Sequence, residues 1–297
     1  MTEKMPAKLT SQPSNAMDKV TGAASPPGLS GARAGALREA FDRAARERRA
    51  ALVAYLTFGD PDPVTSVEVL AACAQAGADV IELGVPFSDP SADGPSIQRA
   101  MERALAAGGS LAGALDAVAA LRRRGLTTPI VLFGYYNPVF IMGAEAFAAR
   151  AAEVGVNAVL TVDLPLDELD ELAAPLAAHG VGVVPLVAPT STEDRIARLA
   201  PIRAPFVYYI SLTGVTGVRA AQAVDPSRLD AVRAAASAPV AVGFGIRSAA
   251  GARRFSALAD GVVVGSALVD AVAAGPVAGA PERVASLIRE LAGAMPR

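Results

Sequence analysis

Short apolar runs, separated by Ala-rich segments with helical spacing, recur along the chain from about residue 34. Because these runs are apolar throughout, they indicate parallel strands that are covered on both faces. The predicted strands are residues 52–57, 79–83, 130–135, 158–162, 182–186, 206–210, 240–243 and 261–264. The predicted helices between them include residues 64–75, 110–123, 143–153, 192–199 and 227–236.

About eight strand–helix units in roughly 260 residues favour an α/β fold of the (β/α)8 TIM-barrel type over a doubly wound sheet. A dinucleotide-binding sheet needs a Gly-rich turn between its first strand and a helix. The sequence from Phe58 to Pro63, FGDPDP, lacks that spacing. We therefore predict one barrel domain over residues 34–297.

Residues 1–33 are rich in Ser, Pro, Gly, Ala and Thr without periodicity, which predicts a disordered N-terminal tail more than a targeting segment.

The composition of the chain limits the ligands and catalytic groups that it can use. The chain has 297 residues, of which 52% are hydrophobic and 19% charged, and its net charge of −2 gives little support for binding to nucleic acid or an anionic membrane. No apolar run reaches the ~18 residues of a membrane span. One Cys excludes an internal disulfide and suggests a reducing, cytoplasmic location, and one His removes most zinc-type ligand sets. We therefore expect no metal, and proton transfer by carboxylates, Tyr, Lys or Arg.

The second predicted strand contains an acid, Glu82, among apolar residues. Burying a carboxylate costs several kcal/mol unless the group is paired or neutral. By the period-two rule Ile81 and Leu83 share the face that suits contact with helices, so Glu82 points into the barrel mouth. Apolar surroundings would raise its pKa and let it both donate and accept a proton. The alternative is a structural Glu that is paired with an Arg or held by backbone donors.

A Pro-rich loop with two more acids follows this strand. Asp93 precedes Gly94 and Pro95, a pattern that begins helices, so it is either a helix-capping residue or a catalytic one, and the spacing alone does not decide. Asp89, between a Ser and a Pro, has the pattern of a turn former.

Glycine-rich strand ends point to an anionic ligand. Residues 213–217 (TGVTG) follow the sixth predicted strand, and residues 242–247 (VGFGIR) and 264–267 (VGSA) include the ends of the seventh and eighth. Glycines also serve tight turns, but loops after strands seven and eight are a frequent phosphate site of barrel enzymes. Backbone N–H groups and a helix N-terminus would hold the phosphate there.

Four aromatic residues on predicted strands suit a flat apolar ligand, although such residues are individually more often part of the core. They are Tyr55, Phe133, Tyr135 and Tyr208.

The motif VIELGVPFSDPSADGP, with LTFGDPDP before it and SLTGVTG, VGFGI and VVVGSALV after it, resembles the alpha subunit of tryptophan synthase. The resemblance runs from about Leu52 to the C-terminal helix and keeps motif order and spacing. The ELGVPFSDP–DGP part is highly specific, whereas GFGI and VGSA are shared with other phosphate-binding barrels.

The resemblance implies a role for individual residues. Glu82 and Asp93 match the catalytic pair, and Tyr135 is kept as a further substrate-binding candidate. The positions that match the phosphate site are Gly217, Gly245, Gly265 and Ser266. The positions that match the indole pocket are Tyr55, Phe133 and Tyr208, and Thr216 lies on the loop after the sixth predicted strand.

The resemblance also implies the reaction, a retro-aldol cleavage of indole-3-glycerol phosphate to indole and glyceraldehyde 3-phosphate late in L-tryptophan biosynthesis. No cofactor is implied on this chain. The implied partner is a beta subunit that uses pyridoxal phosphate to join indole to serine, in an alpha2beta2 complex.

The chain departs from the family pattern at two loop positions. Ser91 stands where a bulkier apolar residue is common, and Leu212 replaces a polar or charged residue of some members. Three alternatives remain: a stand-alone lyase that releases indole, a barrel that binds a phosphate ligand and only activates a partner, and a sugar-phosphate epimerase. The single His disfavours a metal-dependent epimerase.

Overall fold

The computed structural model describes residues 32–210, 224–243 and 245–295. In these residues nine strands form one sheet, and every neighbouring pair is parallel. The strands are β1 (Ala51–Thr57), β2 (Val80–Gly84), β3 (Ile130–Gly134), β4 (Ala158–Thr161), β5 (Gly182–Val183), β6 (Leu186–Val187), β7 (Val207–Ile210), β8 (Val240–Gly243) and β9 (Gly261–Val264).

Helices alternate with the strands in the same described ranges. They are α1 (Ala32–Arg46), α2 (Pro63–Gln75), α3 (Pro95–Ala106), α4 (Leu111–Arg123), α5 (Tyr136–Met142), α6 (Ala144–Val154), α7 (Asp170–Ala178), α8 (Glu193–Ala197), α9 (Pro226–Ala236), α10 (Ala249–Ser256), α11 (Ser266–Ala273) and α12 (Ala280–Gly293), with 3-10 turns at Ala200–Ile202 and Val277–Gly279. No single helix in this part of the chain is long and apolar enough to cross a membrane; α3 and α4 meet that test only as a pair, bent by 90°.

The two edge strands of the sheet, β5 and β6, are consecutive in the chain and match one predicted strand, residues 182–186, except that β6 ends one residue later, at Val187. The sheet order is β5-β4-β3-β2-β1-β9-β8-β7-β6. Val184 donates its N–H to the carbonyl of Val159 beside β5, and the carbonyl of Pro185 accepts from Tyr208 beside β6. The backbone therefore pairs with β4 up to Val184 and with β7 from Pro185 onward. One six-residue segment thus joins both edges, and the prediction of a TIM barrel with eight strand segments is confirmed.

The strands separate two apolar cores. Ile81 and Leu83 lie in the outer core, where the helices cover the sheet, and Val80 lies in the inner core. The predicted facing of these residues is confirmed. It follows from the alternation of side chains along a strand.

Helix α1 closes the N-terminal end of the barrel, a feature that the strand–helix pattern did not predict. Its Leu37 and Phe41 belong to the inner core, and the Phe41 ring stacks on Phe206 with 5.0 Å between centroids. The guanidinium groups of Arg43 and Arg49 bind the buried carboxylate of Asp79 below β2. The catalytic end of a barrel is the opposite one, so α1 has a structural role.

The domain boundary stays a prediction. Helix α1 begins at Ala32, two residues inside the segment predicted as a tail. Residues 1–31 lie outside the described part of the chain, as do Leu212, Thr216 and Gly217.

Candidate active site

Glu82 is the third residue of β2, and its side chain is completely buried. Within the described residues neither carboxyl oxygen has a hydrogen-bond partner, so no arginine or backbone donor there holds it. Burial raises the pKa of Glu82 from its ordinary value of 4.5 to about 8. A carboxyl group in this state is protonated near neutrality and can donate its proton.

Two tyrosines lie beside Glu82. Tyr55 occupies the paired position on β1, and Tyr208 is on β7. Burial is the main cause that raises the pKa of both phenols, and the negative charges of Glu82 and Asp93 raise it further. Both carboxyl groups therefore lie close enough to both tyrosines to interact electrostatically.

Phe133 lies between these two tyrosines in an aromatic row across the barrel mouth. Its ring meets Tyr55 edge-on at 5.2 Å between centroids and Tyr208 at 6.3 Å with a tilt. All three residues belong to the inner core. The structure thus brings together the three predicted indole-pocket residues next to Glu82, and they are core residues as well.

Two strand glycines make room for the tyrosine rings. A Cβ atom on Gly84 would lie 2.3 Å from the hydroxyl oxygen of Tyr55, and one on Gly243 would lie 2.0 Å from that of Tyr208. In both cases the tyrosine lies across the neighbouring strand, over the glycine two residues beyond its paired position. The aromatic row therefore requires glycine at both positions, a role that the sequence did not reveal.

Asp93 lies in the loop after β2 and makes a specific contact. Its Oδ2 accepts a hydrogen bond from the hydroxyl of Tyr135 at 2.7 Å. Burial raises the pKa of Asp93 to about 6, and the Tyr135 hydrogen bond opposes that rise. Helix α3 has Gly94 as its N-cap, without a side-chain cap. The helix-capping interpretation of Asp93 is therefore wrong.

Tyr135 and Gln98 hold the backbone of this loop. The hydroxyl oxygen of Tyr135 accepts from the N–H of Ala92 at 3.0 Å. The side-chain amide of Gln98, on α3, donates to the carbonyl oxygen of Asp93 at 2.8 Å. The sequence predicted Tyr135 as a wall of the ligand site but did not single out Gln98, whose only signal was its position one turn after the helix-start pattern at Gly94 and Pro95.

Asp89 forms a turn at the outer part of the loop, as predicted. Its carboxylate accepts from the hydroxyl of Ser88 at 2.5 Å, and its carbonyl accepts from the N–H of Ser91 at 2.8 Å. The Phe87 ring stacks on Tyr135 at 4.8 Å, which the sequence had not singled out.

A third carboxylate at the barrel mouth, Asp60, is buried and bound by an arginine. The guanidinium of Arg103, on α3, donates from Nε and Nη2 to the two carboxylate oxygens of Asp60, both at 2.8 Å. Asp60 lies in the loop after β1, so this bidentate pair fixes α3 to that loop. Bidentate arginine–carboxylate pairs restrict geometry strongly.

The predicted phosphate positions lie at two adjacent strand ends. Gly245 follows β8, is exposed and has a φ of +59°, with open space where a side chain would start. Gly265 is the N-cap of α11, and Ser266 is its first residue. The first N–H groups of a helix have no partner inside it and favour an anion. A Cβ on Gly265 would lie 3.3 Å from the Tyr55 ring, which places this helix start next to the aromatic row.

A cavity of about 240 Å³ opens at the ends of β4 and β6. Leu164, Leu186 and Arg195 are among its lining residues, whereas neither Glu82 nor Asp93 lines it. Among the residues that the structure describes, no cluster of three or more His, Cys, Asp or Glu side chains could hold a metal ion.

A parallel barrel with a buried carboxyl group on one of its strands, unpaired among the described residues, is typical of the class of acid–base barrel enzymes. Comparison with known proteins identifies the particular family. The family model of the tryptophan synthase alpha chain matches residues 41–295. The chain belongs to the tryptophan synthase alpha chain family, and it is a lyase of tryptophan biosynthesis. The resemblance inferred from the motifs is confirmed.

Individual relatives are similar over nearly their whole length. The tryptophan synthase alpha chain of Burkholderia pseudomallei (strain 1106a) is 49% identical over 261 residues, which cover 86% of this chain and 93% of that protein. That of Laribacter hongkongensis is 50% identical over 241 residues, covering 81% and 91%. A crystal structure of tryptophan synthase from M. tuberculosis superposes with a TM-score of 0.79 at 38% identity, covering 88% of this chain and 98% of that one.

Proposed function

We propose that this chain cleaves indole-3-glycerol phosphate to indole and glyceraldehyde 3-phosphate, with Glu82 and Asp93 as its catalytic residues. The observation that carries the proposal is the state of Glu82, a completely buried carboxyl group without a hydrogen-bond partner among the described residues and with a pKa raised to about 8.

Glu82 moves both protons of the reaction. In its neutral form it donates a proton to C3 of the indole ring, which makes that carbon tetrahedral and the ring cationic. The resulting carboxylate accepts the proton of the hydroxyl on the adjacent side-chain carbon. The bond between C3 and that carbon then breaks, its electrons return to the ring, and the side chain leaves as an aldehyde. One carboxyl group serves both steps because its pKa lies near neutrality.

Asp93 stabilises the cationic ring. Its carboxylate accepts a hydrogen bond from the indole N–H and offsets the positive charge that develops there. Support comes from its pKa of about 6, which leaves it ionised at neutral pH while Glu82 keeps its proton. Two acids with separated pKa values are typical of a divided acid–base task.

The other predicted residues bind and orient the substrate. Tyr55, Phe133 and Tyr208 contact the indole ring, and the backbones of Gly217, Gly245, Gly265 and Ser266 hold the phosphate, with Thr216 next to Gly217 in the chain. Holding the substrate at both ends orients it for reaction. Orientation of this kind lowers the activation barrier by several kcal/mol, about 7 kcal/mol in favourable cases. The chemistry needs no cofactor from this chain.

We further propose a tryptophan synthase beta subunit as the partner, in an alpha2beta2 complex, with pyridoxal phosphate on that subunit and a cytoplasmic location. Support comes from an apolar surface on α5, where Phe140 and Ile141 are 64% and 77% exposed. Helix α5 starts directly after Tyr135, which holds Asp93. A partner that covers this surface would lie beside the catalytic loop.

The test is indole release from indole-3-glycerol phosphate by the full chain, with and without purified beta subunit. We expect Glu82→Gln to lower kcat by at least about 100-fold while ligand binding survives. Glu68→Gln, at an exposed ion pair with Arg124, is the matched control and keeps wild-type activity. No indole from the wild-type protein under either condition contradicts the reaction, and equal turnover with and without the beta subunit indicates a stand-alone lyase. Unchanged cleavage by the Glu82 variant contradicts the role of that residue.

A further inference from the structure

A single carboxylate oxygen of Asp270, on α11, joins three elements of the barrel mouth. Its Oδ2 accepts a hydrogen bond from the hydroxyl of Ser96 at 3.2 Å. The same oxygen forms an ion pair with Nη2 of Arg247. Ser96 is the second residue of α3, and Arg247 lies in the loop after β8, two residues beyond Gly245. Helices α3 and α11 and this loop therefore meet at one atom.

Helix α3 controls where Asp93 lies. Ser96 follows Asp93 by three residues, and Gln98 of the same helix binds the carbonyl oxygen of Asp93. Helix α3 also packs against α11. A displacement of α3 relative to α11 would therefore move the backbone that carries the Asp93 carboxylate.

Helix α11 and the β8 loop form the other end of the ligand site. Helix α11 starts with Ser266 after Gly265, and the loop contains Gly245. A phosphate bound there contacts both elements, so it fixes the position of α11 relative to the loop. Asp270 is the residue that links this pair of elements to α3.

Other charged groups also face this junction. Arg99 Nη2 lies 3.5 Å from the Ser96 hydroxyl, and the guanidinium of Arg103 interacts with the charges of both Asp60 and Asp270. Asp60 already has Arg103 as its bidentate partner. Asp270 is therefore the acceptor that Ser96 and Arg247 share.

We propose that Asp270 is a positioning residue that couples occupation of the phosphate end of the site to the placement of Asp93 at the indole end. The coupling is reciprocal, as any equilibrium linkage between two ligands must be. The inference rests on the proposed function, because it assigns the phosphate and indole ends to the same elements.

If the only role of Asp270 were structural, its replacement would lower the stability of the protein. The Asp270 carboxylate is about one-third exposed and the Arg247 side chain about half exposed, and ion pairs of this kind contribute little to stability. Loss of the carboxylate should therefore leave folding intact and affect only the relation between the two ends of the site.

The experiment measures the affinity of the full chain for indole with and without saturating glycerol 3-phosphate. In the wild-type protein we expect glycerol 3-phosphate to tighten indole binding by about fivefold or more, the lower range of ordinary coupling. In Asp270→Asn we expect less than about a twofold effect, with an unchanged melting temperature. Asp116→Asn, which alters an exposed ion pair with Arg150 on α6, is the matched control and keeps the wild-type coupling.

A second variant, Ser96→Ala, removes the other donor to the same oxygen and should weaken the coupling as well. Wild-type coupling retained in both Asp270→Asn and Ser96→Ala overturns the inference, and so does a wild-type protein in which glycerol 3-phosphate leaves indole affinity unchanged. Cleavage of indole-3-glycerol phosphate by the wild-type chain is measured alongside. Its absence refutes the proposed function, whereas cleavage without coupling refutes only the role of Asp270.

Discussion

The hydroxyl of Tyr135 donates a hydrogen bond to Oδ2 of Asp93 at 2.7 Å, although the two residues are 42 positions apart in the chain. The same hydroxyl accepts from the N–H of Ala92 at 3.0 Å, so one side chain holds both the carboxylate and the backbone of the loop. It also opposes the effect of burial on the pKa of Asp93. The ionisation of the loop carboxylate thus depends on a residue at the end of a neighbouring strand.

Replacing Tyr135 by Phe should shift the pH dependence of catalysis. The hydrogen bond lowers the pKa of Asp93, so its loss raises that pKa above about 6. The acidic limb of kcat/KM should move to higher pH by about one unit, since a hydrogen bond to a charged group contributes about 1.5 kcal/mol or more and one unit corresponds to about 1.4 kcal/mol. Tyr136→Phe, at the next position, is the control. An acidic limb that stays in place in Tyr135→Phe would contradict the assignment of that limb to Asp93.

The burial of Glu82 should make stability depend on pH. Its pKa in the folded state, about 8, lies above its ordinary value of 4.5, so the folded protein binds more protons between these values. The free energy of unfolding therefore falls as pH rises through this window and levels off above it. In urea denaturation the free energy of unfolding of Glu82→Gln, minus that of the wild type, should grow from pH 5 to pH 8. At about 1.4 kcal/mol per pH unit, the growth reaches several kcal/mol. A constant difference across that range would show that the carboxyl group ionises freely.

The pair between Asp60 and Arg103 should be important for stability. Asp60 is buried, and both of its oxygens are bound by this guanidinium. Arg103→Met leaves a buried carboxylate without its partner and should destabilise the protein by about 3 kcal/mol in chemical denaturation. Arg150→Met, which removes exposed ion pairs with Asp116 and Glu153, should cost less than about 1 kcal/mol. Equal losses for the two variants would contradict the structural role of the Asp60 pair.

Gly84 should tolerate no side chain. A Cβ atom there would lie 2.3 Å from the Tyr55 hydroxyl, and the buried ring has the start of α11 beside it, 3.3 Å from the Cβ position of Gly265. Gly84→Ala should therefore displace Tyr55 and lower kcat/KM by about 10-fold to 100-fold. Gly35→Ala, at an exposed position of α1 with open space, should leave kcat/KM unchanged and stabilise the helix by about 0.5–1 kcal/mol.

Patterns among neighbouring residues in the sequence predicted much of the fold. The facing of Ile81 and Leu83 follows from strand alternation, which depends only on neighbouring residues. The eight strand segments follow from runs of apolar residues, whereas the division of one segment into β5 and β6 depends on which neighbouring strand each half pairs with. Helix α1 was missed because its role, closing the barrel, depends on residues far away in the chain, such as Phe206.

By itself the sequence determined the barrel, a buried acid at the end of its second strand and, through a long specific motif, the family. Only the tertiary structure decided that Asp93 binds Tyr135 instead of capping α3, that Gly84 and Gly243 make room for tyrosines, and that Asp270 joins three elements. The physical reason is the separation along the chain between the residues that interact. Alternation and helix-start signals are properties of adjacent residues, whereas a hydrogen bond or a close ring contact between distant segments exists only once the strands are in register and the helices are packed.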